Sequence, residues 1–315
     1  MDALTLPVRQ RTPEWLATRR NGIGGSDAPI IVGESPYRSP FDLWTEKVGL
    51  VAPAAETDAM AWGRRLEPLV AAAYTEATGR RLRRVTRLLR NRERPWQLAS
   101  IDREVVGERR LVEIKTTRSP RWDGADPVPG DVLAQLEHYL SVTGYDVADV
   151  AVLVGGSDLR VIEIGRDDAY IRDLIELEAD FMHRVESRTA PPVDGSEATR
   201  RTLGRLHPRD DGTELAATPE TDRLLADLRV ARERATEAAD RAATVENGLR
   251  GVMGAASMLV GPGYRVSFRK SADSARTDWQ AVAAQLRPDP ALVAQYTATR
   301  EGPRVLRVTF GGSER

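Results

Sequence analysis

The chain contains no cysteine, and it has only three histidines and three lysines among its 315 residues. The absence of cysteine excludes disulfides, thiolate zinc sites, iron–sulfur clusters and a cysteine nucleophile. No apolar run approaches the roughly 20 residues that a helix needs to cross a bilayer, and the N-terminal residues lack the basic region and apolar stretch of a signal peptide. We therefore expect a cytoplasmic protein that uses no thiol chemistry.

Charged residues are abundant but nearly balanced in sign. Lysine and arginine together number 46 and the acids number 47, so the formal net charge is −1. The whole chain is therefore not a general binder of polyanions, and the distribution of charge matters more than its sum. Hydrophobic residues make up 41% of the chain, which is enough for a core beneath a charged surface.

Breaks in composition divide the chain into three parts. Pro191-Pro192 ends a region in which helix and strand patterns are mixed. We predict a domain over residues 1–190, a polar, loop-rich linker over 191–217, and a C-terminal region over 218–315. The C-terminal region is expected to contain a long amphipathic helix at 219–258, a short hairpin at 264–270 and a last strand at 305–310.

Helix caps and alternating strand patterns predict the elements of the first domain. Thr12-Pro13 and Ser39-Pro40 each place a capping side chain before a proline, which is typical of a helix start. Gly107 lies between two strand-like runs and is expected to turn a hairpin. The predicted helices are 13–21, 40–47, 57–79, 131–143 and 167–188, and the predicted strands are 96–102, 111–117, 148–154 and 159–164.

Lys115 is an unusual residue in a chain whose basic residues are almost all arginines. It follows Glu113 by two positions in a run that alternates like a strand, so the two side chains are expected to share one face. Asp102 ends the preceding strand-like run. An acid followed by an acid and a lysine is able to hold Mg²⁺ with a water molecule beside it, which is the chemistry of cutting a phosphodiester.

Each of these residues has a role in that chemistry and a plainer alternative. Asp102 and Glu113 are the expected ligand pair for Mg²⁺, and the carbonyl of Ile114 is able to reach the same ion. Lys115 would deprotonate or orient the attacking water, or stabilise charge at the phosphorus. A Glu-x-Lys pattern on its own is also typical of an ordinary exposed strand face, so the motif needs support from other residues.

A basic stretch precedes this motif. Eight arginines and a single acid lie between Arg80 and Arg94. Such a patch beside an acidic metal site would hold a nucleic-acid backbone, since phosphate contacts position the substrate. The candidate contacts to the DNA backbone are Arg81, Arg83, Arg84 and Arg87. The alternative is that these arginines form a solvated strand face.

Together with Glu67 and Gln135, the motif residues resemble the PD-(D/E)XK nuclease superfamily. The resemblance implies a helix glutamate at Glu67, a pair of strand acids with a lysine, and a later helix glutamine at Gln135, all lining one catalytic pocket. It makes Glu67 a further candidate metal ligand. The cofactor implied is Mg²⁺, for which Mn²⁺ is expected to substitute.

Further motifs narrow the resemblance to the YqaJ-type viral recombinases, a family that includes the lambda-type alkaline exonucleases. They occur in the family's order over about the first 190 residues. They are Glu14-Trp15-Leu16, Arg19, Ile23-Gly24-Gly25-Ser26-Asp27-Ala28, Ser35-Pro36-Tyr37, Leu43-Trp44, Glu46-Lys47, Gly49, Gly63-x-x-Leu66-Glu67-Pro68, Ala99-Ser100-Ile101-Asp102, Glu113-Ile114-Lys115 and Gln135-x-x-His138-Tyr139-Leu140.

The resemblance implies an α/β (α+β) fold with a restriction-endonuclease-like core, in which helices flank a mixed central sheet; a helical and β appendage follows at the C-terminus. It implies Mg²⁺-dependent 5′-to-3′ digestion of double-stranded DNA that leaves a 3′ single strand. Arg19 and Ser26 match the positions that hold the terminal 5′-phosphate, although Ser26 would also serve as a helix cap. Arg103 departs from the family, which often has glycine after the strand aspartate.

Two other functions remain open at this point. One is an endonuclease of the same superfamily, and the other is a non-catalytic DNA-binding protein that assists recombination. The expected partners are double-stranded DNA ends, a single-strand annealing protein and, by analogy, further copies of the chain in a ring trimer. A phage, prophage or mobile-element origin in a bacterial host is expected. For residues 191–315, an oligomer- or partner-binding helix competes with a guide for the DNA end.

Overall fold

The computed structural model describes residues 3–10, 12–53, 57–124, 126, 128–300, 302 and 304–308. The chain divides into two compact units, 1–208 and 209–315. In chain order, the elements of the first unit are β1 (Leu4–Arg9), α1 (Pro13–Arg20), β2 (Ile23–Gly24), α2 (Ala28–Ile31), α3 (Pro40–Lys47), α4 (Asp58–Thr78), β3 (Leu82–Arg84), β4 (Arg87–Arg90), β5 (Gln97–Ala99), β6 (Arg103–Val105), β7 (Arg110–Thr117), a 3₁₀ turn (Pro120–Asp123), α5 (Gly130–Thr143), β8 (Val147–Val154), β9 (Asp158–Gly165), α6 (Asp168–Glu186) and α7 (Glu197–Leu206).

Side-chain caps start the helices at the predicted positions. The hydroxyls of Thr12, Ser39 and Thr57 each accept a hydrogen bond from a backbone N–H in the first turn of α1, α3 and α4. Such bonds satisfy N–H groups that have no partner inside the helix. Gly79 ends α4 in the left-handed conformation, with φ 71°, which glycine adopts without steric cost.

A mixed five-stranded sheet forms the centre of the first unit, in the order β3-β6-β7-β8-β9. Strands β7 and β8 are parallel and the other pairs are antiparallel. Val112 and Ile114 of β7 pack with Val70 and Tyr74 of α4 on one face. The opposite face carries the larger core, to which α5 and α6 contribute. The predicted mixed sheet flanked by helices is confirmed.

A second, four-stranded sheet has the order β1-β4-β5-β2, and it changes the predicted hairpin. The run 96–102 was expected to be one strand paired with 111–117. Instead, β5 belongs to the second sheet, and the strand that pairs with β7 begins at Arg103. The chain passes from one sheet to the other just before this residue, so Asp102 lies at the junction. Gly107 makes the predicted turn, with φ 88°.

The predicted loop-rich linker over 191–217 is wrong in its central part. Glu197–Leu206 form helix α7, whose N-cap is Ser196. Thr199 donates a hydrogen bond to the hydroxyl of Ser39 at 2.7 Å, and Thr202 donates one to Asp42 at 2.7 Å. The helix forms because its small polar residues bind buried groups of α3, a tertiary partnership that local composition does not indicate.

The second unit contains the predicted long helix. Its elements are α8 (Pro219–Met253), β10 (Met258–Gly261), β11 (Tyr264–Ser267), α9 (Trp279–Leu286) and α10 (Pro290–Gln295). The helix stops before the predicted Met258, at Gly254 with φ 51°. A hairpin joins β10 to β11. Residues 304–308 form no strand, and the rest of the predicted strand 305–310 lies outside the described residues. No described helix is both long and apolar enough to cross a membrane.

Candidate active site

The Glu-x-Lys motif of β7 forms a compact hydrogen-bonded cluster with α5. Glu113 and Lys115 share a face, as predicted, and the Lys115 ammonium lies 2.7 Å from Oε1 of Glu113. Lys115 also donates to Oε1 of Gln135 at 2.9 Å, and Nε2 of Gln135 donates to Glu113 at 2.8 Å. The three side chains therefore hold one another in a closed triangle. The structure thus brings Glu113 and Lys115 of strand β7 into contact with Gln135 of helix α5.

Tyr139 connects this triangle to the loop before Asp102. Its hydroxyl accepts a hydrogen bond from Gln135 at 3.1 Å and donates one to the carbonyl of Ser100 at 3.1 Å. Tyr139 follows Gln135 by one turn of α5, so both side chains lie on the same helix face. Tyr139 therefore links Gln135 to the chain segment just before Asp102.

Asp102 lies next to Glu113, immediately before β6. Its Oδ2 accepts a hydrogen bond from the backbone N–H of Ile114 at 2.9 Å. Burial, together with the nearby charge of Glu113, raises the pKa of Asp102 to about 8. Two carboxylates held together away from water disfavour the doubly ionised state.

Lys115 supplies positive charge to this pair and is hydrogen-bonded to Glu113. Burial lowers the pKa of this lysine, but the charge and the hydrogen bond of Glu113 outweigh burial and raise it above its ordinary value. Lys115 is consequently a positioned cation in this state rather than a neutral base.

The site fits a divalent cation with oxygen ligands. Oε2 of Glu113 is buried and has no hydrogen-bond partner, and an unsatisfied buried carboxylate oxygen is costly unless a cation or donor meets it. Together with Asp102 it offers the hard oxygen donors that Mg²⁺ prefers, and Mg²⁺ keeps several waters of its own. Within the described residues no group of three or more histidines, cysteines and acids is arranged to hold a metal ion.

Glu67 is paired with an arginine. Nη1 of Arg103 donates to Oε1 of Glu67 at 2.5 Å and to the carbonyl of Asp102 at 2.8 Å. Both side chains are buried, with 8% and 10% exposure. Arg103, which departs from the family pattern, thus brings a cation to the helix glutamate, and this geometry does not support Glu67 as a third metal ligand.

The glycine-rich turn between α1 and α2 borders the same cavity. A cavity of about 190 Å³ is lined by residues of this turn and of the acidic cluster; among them are Arg19, Gly24, Gly25, Ser26, Asp102, Glu113, Gln135 and Tyr139. Nη2 of Arg19 donates to the hydroxyl of Ser26 at 2.6 Å. The candidate phosphate-binding residues and the candidate metal ligands therefore face one space.

Close packing joins the turn to α5. A Cβ atom on Gly25 would lie 2.3 Å from Cε1 of Tyr139, so only glycine allows the turn to approach the ring this closely.

Trp15 packs against Arg19. The guanidinium carbon of Arg19 is 4.7 Å from the centre of a Trp15 ring, and Nε1 of Trp15 donates to the hydroxyl of Ser100 at 3.1 Å. Trp15 supports the arginine.

The basic stretch lies against a different cavity. Arg83, Arg84 and Arg87 help to line a space of about 540 Å³ beside Glu104. Arg83 forms an ion pair with Glu104, and its side chain remains 72% exposed. Arg81 is exposed just before β3. The role of these four arginines in holding a DNA backbone stays a prediction.

Two features define the class of the first unit as a PD-(D/E)XK-type α/β fold. They are the sheet arrangement and the cluster of Glu113 and Lys115 on β7 with Asp102 just before β6. The same fold occurs in the alkaline exonuclease LHK-Exo of Laribacter hongkongensis. Its structure in complex with dAMP matches 62% of this chain and 100% of its own chain, with a TM-score of 0.50 and 22% identity.

Residues 14–146 match the YqaJ-like viral recombinase domain. The order of the motifs had predicted this match. The uncharacterized protein YqaJ of Bacillus subtilis (strain 168) is 38% identical over 201 residues, which are 62% of this chain and 63% of YqaJ. The chain thus spans a little under two thirds of this curated relative.

Proposed function

We propose that the first unit is a metal-dependent deoxyribonuclease that digests double-stranded DNA from the 5′ end and leaves 3′ single-stranded overhangs during phage or mobile-element recombination. The observation that carries the proposal is the one cavity shared by Arg19, Ser26 and the acidic pair of Asp102 and Glu113. An endonuclease has no need to hold a terminal phosphate beside its metal site. The family of residues 14–146 and the fold shared with an alkaline exonuclease support it.

The side chains of the acidic cluster have different proposed roles in hydrolysis. Asp102 and Glu113, with the carbonyl of Ile114, would hold Mg²⁺, which Mn²⁺ is expected to replace. When bound, the ion supplies a Lewis acid and a more acidic water. Lys115 holds positive charge where the phosphodiester becomes more negative. Gln135 fixes the orientation of both Glu113 and Lys115 through its two hydrogen bonds.

Arg19 and Ser26 would bind the terminal 5′-phosphate. A guanidinium offers two parallel N–H donors to phosphate, and the hydroxyl adds a third polar contact. The 2.6 Å hydrogen bond between the two side chains holds them together at the wall of the cavity. The phosphate contact would set the distance from the DNA end to the cleaved bond.

Digestion of matched DNA substrates with Mg²⁺ tests the proposal. We expect rapid loss of linear duplex with 5′-phosphate ends, slower loss of the same duplex with 5′-hydroxyl ends, and no cutting of closed circles. Appreciable cutting of closed circles would instead identify an endonuclease. Binding of DNA without any digestion would identify a non-catalytic recombination protein.

Substitutions within the triangle test the assigned residues. Glu113→Gln and Lys115→Ala should abolish digestion while DNA binding stays measurable. Lys270→Ala is the matched control, because this lysine is 81% exposed in the second unit, and it should digest DNA like the parent chain. Mg²⁺ or Mn²⁺ should raise the Tm of the parent chain but not of Asp102→Asn, which checks metal binding independently of activity.

The wider proposal includes partners and assembly. We propose that the product strand passes to a single-strand annealing protein and that copies of the chain form a ring trimer around DNA, as in the lambda-type relatives. Light scattering of the purified chain measures the assembly, and a strictly monomeric protein would contradict the ring.

A further inference from the structure

Lys47 is a buried lysine that binds the glycine-rich turn. It is one of the three lysines of the chain and lies at the end of α3 with 4% of its side chain exposed. Its ammonium donates to the carbonyl of Arg19 at 2.8 Å, to the carbonyl of Gly22 at 2.6 Å and to Oδ2 of Asp27 at 2.7 Å. Its three N–H donors therefore have three acceptors.

Asp27 stands between this lysine and Arg19. Its side chain is 6% exposed, and its Oδ1 lies 3.7 Å from Nη2 of Arg19. Its Oδ2 also accepts the N–H of Gly24 at 2.9 Å. Although burial raises the pKa of Asp27, the charges of Lys47 and Arg19 outweigh burial and lower it to about 2. Asp27 is therefore an ionised acid beside the candidate phosphate site.

An ionised acid at this place would oppose the binding of phosphate if it had no partner. It would repel the incoming anion, and it would compete with it for the guanidinium of Arg19. The ammonium of Lys47, 1.0 Å closer to Asp27 than Arg19 is, takes up the carboxylate. Arg19 then keeps its bond to Ser26 and its place on the Trp15 ring.

We infer that Lys47 and Asp27 are positioning residues for the 5′-phosphate site: their buried ion pair neutralises the acid at the turn and leaves the charge of Arg19 free for the DNA end. The inference rests on the proposed function, since it assigns the organisation of the same phosphate site. Lysine suits the position because its compact ammonium meets three acceptors converging on one point, whereas the planar guanidinium of arginine spreads its donors.

Binding to DNA ends measured without metal separates this inference from catalysis. The full chain in EDTA is titrated with fluorescent duplexes that carry either a 5′-phosphate or a 5′-hydroxyl, and the ratio of the two Kd values reports recognition of the phosphate. In Lys47→Met the freed carboxylate should capture Arg19. We expect the preference for the 5′-phosphate to fall about tenfold, which corresponds to 1.4 kcal/mol.

The double variant Lys47→Met/Asp27→Asn distinguishes charge from shape. Both variants lack the ammonium that binds the carbonyls of Arg19 and Gly22, but only the single variant keeps an acid that is able to capture Arg19. The double variant should therefore recover the parent preference to within about threefold, because a neutral pair leaves no buried charge without a partner. A double variant as defective as Lys47→Met would show a merely structural role and overturn the inference.

Asp27→Asn alone gives a third measurement that does not depend on the folding of Lys47→Met. Removing the acid while keeping Lys47 adds one positive charge to the turn, so the preference for the 5′-phosphate should be kept or increased. A loss of preference in this variant would overturn the inference. A parent chain that binds both ends equally would overturn the 5′-phosphate proposal and this inference together, whereas an unchanged preference in Lys47→Met would overturn the inference alone.

Discussion

Replacing Arg103 with methionine tests how far Glu67 depends on its buried partner. The guanidinium of Arg103 is 2.5 Å from Glu67 and 2.8 Å from the carbonyl of Asp102, so it connects the helix glutamate to the segment that carries Asp102. Methionine keeps an unbranched apolar chain of similar reach but removes the charge and every donor. Glu67 would then lose its ion pair with Arg103 while about nine-tenths of its side chain stays buried.

The loss should be large because both partners are buried. Removing one member of such a pair typically costs about 3–5 kcal/mol. For a unit of roughly 200 residues each kcal/mol lowers Tm by about 2–4 °C, so a loss of about 3 kcal/mol predicts a fall of roughly 6–12 °C. Adding Glu67→Gln removes the buried charge that Arg103 had balanced and should recover at least about 2 kcal/mol of the loss.

Chemical and thermal unfolding of Arg103→Met, Glu67→Gln and the double variant completes a mutant cycle. Arg200→Met is the control: the side chains of its ion pair with Glu197 are 79% and 58% exposed, and exposed pairs contribute at most about 1 kcal/mol. The reasoning is refuted if Arg103→Met unfolds like Arg200→Met, or if the double variant is as unstable as Arg103→Met.

Two further predictions follow from packing and from burial of charge. Gly25→Ala should lower the free energy of unfolding by about 1–3 kcal/mol, because its Cβ would lie 2.3 Å from the Tyr139 ring. Gly165→Ala is the control and should change the free energy of unfolding little, since no atom lies within 4 Å of its Cβ. Equal stability of the two variants would contradict the packing. Burial raises the pKa of Glu137 to about 7, so its contribution to stability is complete below the unfolded pKa of about 4.3 and is lost as pH rises through about 7. Glu137→Gln should therefore lose less Tm than the parent chain between pH 5 and pH 8.5, and parallel pH profiles would rule this out.

The rarity of lysine in this chain indicates positions where a lysine has a specific structural role. It singled out Lys115, which the structure brings to Glu113 and Gln135. The same signal applied to Lys47, whose three acceptors lie 20 to 28 residues away along the chain. No local pattern marks those acceptors, because two of them are backbone carbonyls and any residue supplies a carbonyl.

Sequence patterns failed where a strand had to be assigned to a sheet. The run 96–102 alternates like a strand, but periodicity does not say where the chain leaves one sheet for another. The junction at Asp102 depends on the pairing of β5 with β2 and β4 and of β6 with β7. Helix α7 was missed for a related reason, since Ser39 and Asp42, which bind it, lie 160 residues earlier.

The sequence by itself determined the local features and the available chemistry. Caps act within three residues, so the threonine and serine that start α1, α3 and α4 were readable from the chain, and the supply of acids, lysine and arginine limited the chemistry. Only the tertiary structure decided which charges meet: Arg103 with Glu67, 36 residues apart, and Lys47 with Asp27 beside Arg19. Such pairs depend on how sheets and helices pack, because burial turns a weak attraction between exposed charges into a strong requirement for a partner.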